Sequence, residues 1–156
     1  PGPVHTYMER GIYTAILTAS NLCSTDVYSQ ALSVQDFELS MVPCLGAGQS
    51  TPGQTVVYTL SLANSGTLSD TFTLGLTSHL WGAALSTEGI GPLAAGGSVS
   101  FQVVVAVPPD ARVDDCDTVV VQAVSDGDPR QPPAQATSTL TTTALPYALY
   151  LPLIWR

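Results

Sequence analysis

Residues 52–64 read Pro-Gly-Gln-Thr-Val-Val-Tyr-Thr-Leu-Ser-Leu-Ala-Asn. Val56, Tyr58, Leu60 and Leu62 stand at every second position, and a strand sends alternate side chains to opposite faces. The segment is therefore a strand with one apolar face, opened by Pro52-Gly53 and closed by Asn64-Ser65-Gly66. The pattern recurs at Phe72, Leu74 and Leu76, at Val99, Phe101, Val103, Val105 and Val107, and at Val119, Val121 and Ala123. Helical periodicity is absent. Strands are expected at 11–20, 26–34, 36–42, 54–63, 69–77, 80–86, 98–107, 117–125 and 134–143. Gly46 to Gly53 and Gly89 to Gly97 read as turns, as do Pro108 to Asp115 and Asp126 to Pro133. A strand about every ten residues points to a sandwich. The expected fold is all-β: an Ig-like β-sandwich over 36–144, a short β module over 1–35, and an apolar strand or tail over 145–156. Trp81 is expected to cap one end of the core.

The chain has 156 residues, 45% hydrophobic and only 10% charged, with a net charge of −8. It contains four arginines and no lysine. Nucleic acid and anionic membranes both demand basic patches, so neither is an expected partner. No run of 18 apolar residues exists to span a membrane. An acidic chain rich in Thr, Ser and Gly fits an extracellular or cell-surface setting. It reads as a mature or processed piece of a longer secreted precursor.

The tail carries the second strong pattern. Leu145, Tyr147, Leu149, Leu151, Leu153 and Trp155 alternate with Pro146, Ala148, Tyr150, Pro152 and Ile154. Two prolines cannot donate to a ladder, so this strand belongs at an edge. Burying six large apolar side chains contributes roughly 9–18 kcal/mol as an upper bound. Ordering about eleven residues costs roughly 11–22 kcal/mol. The two nearly cancel, so the tail docks only where a groove and an open ladder edge already exist. That is the physics of strand addition.

Two family resemblances follow. Pro52-Gly53-Gln54-Thr55-Val56-Val57-Tyr58-Thr59-Leu60 with Ala63-Asn64-Ser65-Gly66 resembles the opening of bacterial surface Ig-like repeats of the NEW3 and CARDB type. Leu93 to Ser98 resembles their turn, and Cys116 to Val121 with Ser125 to Pro129 resembles a later strand and turn. The likeness spans 36–144 and implies fold more than function, since such modules serve as spacers, sugar-binding accessories and adhesin stalks. Residues 1–35 resemble the end of a PKD repeat: His5-Thr6-Tyr7, then Gly11-Ile12-Tyr13-Thr14-Ala15-Ile16-Leu17-Thr18-Ala19-Ser20-Asn21. Only the last two or three of about seven PKD strands are represented. A two-stranded piece is not stable alone in water, so Tyr13, Ala15 and Leu17 are expected to form part of a groove that receives another strand.

Chemistry is sparse. His5 and His79 fall in different modules, and no G-x-S-x-G, H-E-x-x-H, P-loop or C-x-x-C motif occurs. No cofactor is implied and the chain is not expected to be an enzyme. Asp114, Asp115 and Asp117 are weak calcium candidates, and solvated turn aspartates are the plainer reading. Of the three cysteines, Cys44 and Cys116 are the preferred disulfide pair, leaving Cys23 over. The Thr/Ser run at 137–143 reads as a strand face open to O-linked glycans. The first functional expectation is a non-catalytic structural subunit that assembles head to tail with copies of itself into a fibre or surface layer, the tail filling a groove in its neighbour; a tail folded back on its own chain, giving a monomer with an extra strand, stays open. The alternative is an accessory spacer or carbohydrate-binding module of a secreted hydrolase or adhesin, with a cell-surface polysaccharide as ligand.

Overall fold

A computed structural model describes residues 4–7 and 11–147. Strands β1 (Gly11–Ser20) and β2 (Thr25–Val34) pair antiparallel in a sheet of their own. The other nine strands build a two-sheet Ig-like sandwich. They are β3 (Leu39–Val42), β4 (Leu45–Ser50), β5 (Thr55–Asn64), β6 (Asp70–Thr77), β7 (Gly82–Leu85), β8 (Gly89–Leu93), β9 (Ser98–Ala106), β10 (Cys116–Ser125) and β11 (Gln135–Ala144). One sheet has the order β4-β11-β10-β6-β8 and the other β3-β5-β9-β7. Pairing is antiparallel throughout except between β4 and β11.

The alternating residues make the core. Leu60, Leu62, Phe72, Val103, Val105, Val119, Val121 and Ala123 are buried. Leu140 joins them from β11, and Trp81 packs partly buried against the cluster. Val99, expected inside, is 38% exposed, because β9 enters there at the rim. Two hydrogen-bonded positions lock the sheets together. Tyr58 Oη donates to the Thr141 carbonyl at 2.9 Å and lies 2.7 Å from Thr142 Oγ1. Buried Asn64 donates through Nδ2 to the carbonyls of Leu68 and Leu93, and its Oδ1 accepts from the Gly66 amide.

Two segments expected to be turns are edge strands instead. β4 is built around Gly46 and Gly48, and an added Cβ at Gly48 would lie 2.6 Å from Val56 Cγ1 and 2.7 Å from Tyr58 Oη. The glycines let the strand lie against core side chains, which is one reason glycine occurs inside strands. β8 pairs with β6 across a register shift between Asp70 and Phe72. Its Gly91 has a φ of 135° and would meet the Asp70 and Thr71 backbone with any Cβ.

The strand directions define two poles. Asn64, Ser98, Asp70, Leu93 and Ser125 mark one, since Ala63 pairs with Ser98, Asp70 with Leu93 and Ser125 with Phe72. Ser50, Thr55, Ala106, Gly82 and Ala144 mark the other. Ten-residue β5 runs from one to the other, about 30 Å.

Candidate assembly surfaces

The β1–β2 hairpin closes through Asn21. Its backbone N–H donates to the Ser24 carbonyl, and its Oδ1 accepts from the amides of Cys23 and Ser24. The register places Tyr13 opposite Leu32, Ala15 opposite Gln30 and Leu17 opposite Tyr28. Cross-strand partners share a face, so Tyr13, Leu17, Tyr28 and Leu32 form one apolar surface. Ile12, Ile16 and Val27 occupy the reverse. Little of this is covered: Ile16 is 65% exposed, Leu17 68% and Tyr28 64%. At the base of β1, His5 meets Tyr7 edge-on at 4.6 Å and Tyr7 packs on Tyr13 at 4.4 Å. Tyr13, Ala15 and Leu17, the expected receiving residues, thus share one face of the hairpin, where Tyr13 is half-buried against Tyr7 and Ala15 and Leu17 are exposed.

The segment that follows the hairpin, Asp36-Phe37, is anchored at the first pole by a charged clamp. The Asp36 amide donates to Thr67 Oγ1 and the Thr67 amide to the Asp36 carbonyl, both at 3.0 Å. Arg130 Nη2 donates to the Phe37 carbonyl at 2.6 Å and pairs with Asp128 at 2.8 Å, while Nη1 lies 3.4 Å from Asp36. Asp128 also accepts from Arg130 Nε and from the Arg130 and Ala134 amides. The hydrogen bond from Arg130, with the amide bonds behind it, holds the Asp128 carboxyl at about 2, and the same contact raises Arg130. Next to the clamp, Ser125 Oγ donates to Asp70 Oδ2 and the Gly127 amide to Asp70 Oδ1.

The tail leaves from the opposite pole. The Leu145 amide donates to the Ser50 carbonyl at 2.8 Å, and Tyr147 Oη donates to the Pro109 carbonyl at 3.0 Å. Of the expected assembly strand, Leu145 and Tyr147 are both partly exposed. Leu149, Leu151, Leu153 and Trp155 lie outside the described residues.

Several expected sites resolve differently. Cys23, Cys44 and Cys116 are all free and exposed, which corrects the Cys44–Cys116 disulfide. The Cys44 carbonyl accepts from Thr139, on one side of β11, whereas Cys116 pairs with Thr143 on the other side. Four residues along a strand are about 13 Å, well beyond the roughly 4.4–6.8 Å Cα separation of a disulfide. Among the described residues, no three His, Cys, Asp or Glu side chains gather as metal ligands. Asp117, a calcium candidate, is buried and accepts the Leu80 and Trp81 amides on Oδ2 at 2.9 and 2.8 Å. Asp115 accepts the Arg112 amide, and Asp114 sits at a φ of 70° beside them. Asp117 and Asp128 are therefore buried loop anchors, not solvated turn residues. His79 Nδ1 lies 2.9 Å from the Trp81 carbonyl at the tail pole, far from His5.

No family model matches the chain, and no curated protein matches its sequence. Solved structures do share its fold. It is similar to the ASH/PapD-like domain 7 of human CEP192, at 16% identity over 71% of this chain and 87% of that one, TM-score 0.53. It is also similar to the E. coli chaperone DraB (12% identity, 70% and 55% coverage, TM-score 0.49). The periplasmic chaperone SfaE matches at 13% identity, 73% and 60% coverage and TM-score 0.49. At such identities the likeness to the CEP192 domain establishes an Ig-like sandwich and nothing about activity.

Proposed function

We propose that this chain is a non-catalytic extracellular structural subunit that joins its neighbours head to tail by β-strand complementation, with the hairpin as the receiving element. One observation carries this reading: a hairpin with exposed apolar residues stands outside a sandwich that already buries its own core. Two strands are marginal in water, and open edges with apolar faces are templates for another strand. The separated histidines and the engagement of Asp70, Asp117 and Asp128 in loop anchoring support the non-catalytic part. The acidic, lysine-free composition and the resemblance of 1–35 and 36–144 to PKD and bacterial surface repeats support the extracellular setting.

A second reading is favoured by the polarity of the fold. Hairpin and tail leave from opposite poles, the connectivity a spacer in a row of modules needs. Such an accessory spacer would stay monomeric as an isolated chain.

Native mass decides between them. Leu17→Asp with Tyr28→Asp places two charges on the hairpin face. The proposal expects the intact chain to associate with rising concentration and the double variant to remain at 16.2 kDa. Equal association by both would sink the hairpin's role, and a monomeric intact chain would favour the spacer.

A further inference from the structure

We infer that the strand pairing with the open edge of the hairpin is residues 149–155 of a second copy of this chain. This rests on the hairpin being the receiving element, and three observations identify the donor.

The first is reach. Leu149 lies two residues past Tyr147 and Trp155 eight, so even fully extended they stand at most about 7 and 29 Å from it. Tyr147 is held to Pro109 at the tail pole. The root of the hairpin, Gly11 and Val34, sits beside Thr67 at the other pole, about 30 Å away, and neither β1 nor β2 packs broadly against a strand of the sandwich. Trp155 alone could approach the root of its own hairpin, and the four donor residues together cannot pair with it. In a second molecule, the same geometry sets a tail pole against a hairpin pole. Such a contact is heterologous and repeats along a line or closes a ring.

Chemistry is the second. The hairpin strands carry a single charge, Asp26, at the turn end, and residues 145–155 carry none. Burying one against the other strands no charge. Leu149, Leu151, Leu153 and Trp155 recur at the spacing of Tyr13, Ala15, Leu17 and Ala19, so a matched row of side chains meets a matched row.

The third is the placement of proline. In an extended strand the direction of the N–H alternates with the same period as the side chain. If Leu149, Leu151 and Leu153 turn their backbone groups to the hairpin, Pro152 turns its nitrogen away. Its missing N–H is then not needed, and it blunts the new edge against a further strand. The added strand then ends the sheet on that side, which favours a linear assembly over a growing sheet.

Two full-length variants separate donor from acceptor. Leu151→Asp with Leu153→Asp removes the donor face and keeps the hairpin. Leu17→Asp with Tyr28→Asp removes the acceptor face and keeps the tail. Near-ultraviolet circular dichroism checks that each sandwich remains folded. Each variant alone should be a monomer, and the two mixed should give a complex of twice the 16.2 kDa chain mass and no larger. Self-association by the tail variant, with none by the hairpin variant, would overturn the tail as donor while leaving the hairpin as receiver. Association by the hairpin variant alone would overturn the underlying reading. An intact chain that stays monomeric while its tail resists proteolysis would show the tail docked on its own sandwich, and would overturn the inference.

Discussion

Acidification should weaken this fold through one carboxylate that can be isolated by mutation. Asp128 is held at about 2 against an ordinary 3.8, first by the hydrogen bond from Arg130. The unfolded chain takes up that proton near the ordinary value and the folded chain only near 2. The stabilisation is therefore complete above about pH 4, declines as pH falls, and is gone below about pH 2. A carboxyl held at about 2 in place of 3.8 contributes about 2 kcal/mol. The Arg130 side chain is 56% exposed, so solvent screening reduces this to about 1 kcal/mol. Other carboxylates titrate in the same range, so the useful quantity is the difference between the natural chain and Asp128→Asn. Asparagine keeps a carbonyl for the Ala134 amide but has no proton to take up. Urea unfolding between about pH 2 and 5 should show the stability gap between the two chains shrinking by about 1 kcal/mol toward low pH. Parallel curves across that range would refute the assignment of the shift to the Asp128–Arg130 clamp.

Three further outcomes test the packing and the cysteines. Gly48→Ala should destabilise the sandwich by about 1–3 kcal/mol, since its Cβ collides with Val56 and Tyr58; thermal unfolding measures this, and an unchanged midpoint would mean β4 moves aside freely. Tyr58→Phe leaves the buried Thr142 hydroxyl short of a partner and should cost about 1–3 kcal/mol. Burial pushes the Tyr58 phenol up, so in ultraviolet titration of the natural chain one tyrosine should ionise later than an ordinary phenol. Thiol labelling of the folded protein should find three reactive cysteines, Cys23, Cys44 and Cys116. A single reactive thiol would restore a disulfide.

What was legible in the sequence was whatever a period of two reports. β5, β6, β9 and β10 declare themselves by an apolar residue at every second place, and their inward faces follow at once. β4 and β8 are hidden because their glycines mimic turns. Gly46 and Gly48 occur in a strand because Leu140, Val56 and Tyr58 occupy the space a side chain would need, a tertiary fact with no local trace. The Thr/Ser run of β11 reads as a solvent face, yet Ser138 and Thr142 are fully buried, satisfied by the Pro43 carbonyl and by Tyr58. Asp117 misleads in the same direction: it reads as a solvated turn acid, yet it is buried against the Leu80 and Trp81 amides, which only the folded loops bring near. The receiving face on β1 and the apolar tail were both readable. Their separation to opposite poles was not, because it depends on the order and direction of strands that include the two hidden ones.

Amide hydrogen exchange on the intact chain across a concentration series tests the central claim most directly. Strand complementation predicts that β1 and β2 become protected as concentration rises while β5, β9 and β10 stay protected throughout. Hairpin amides that exchange equally fast at every concentration would contradict it.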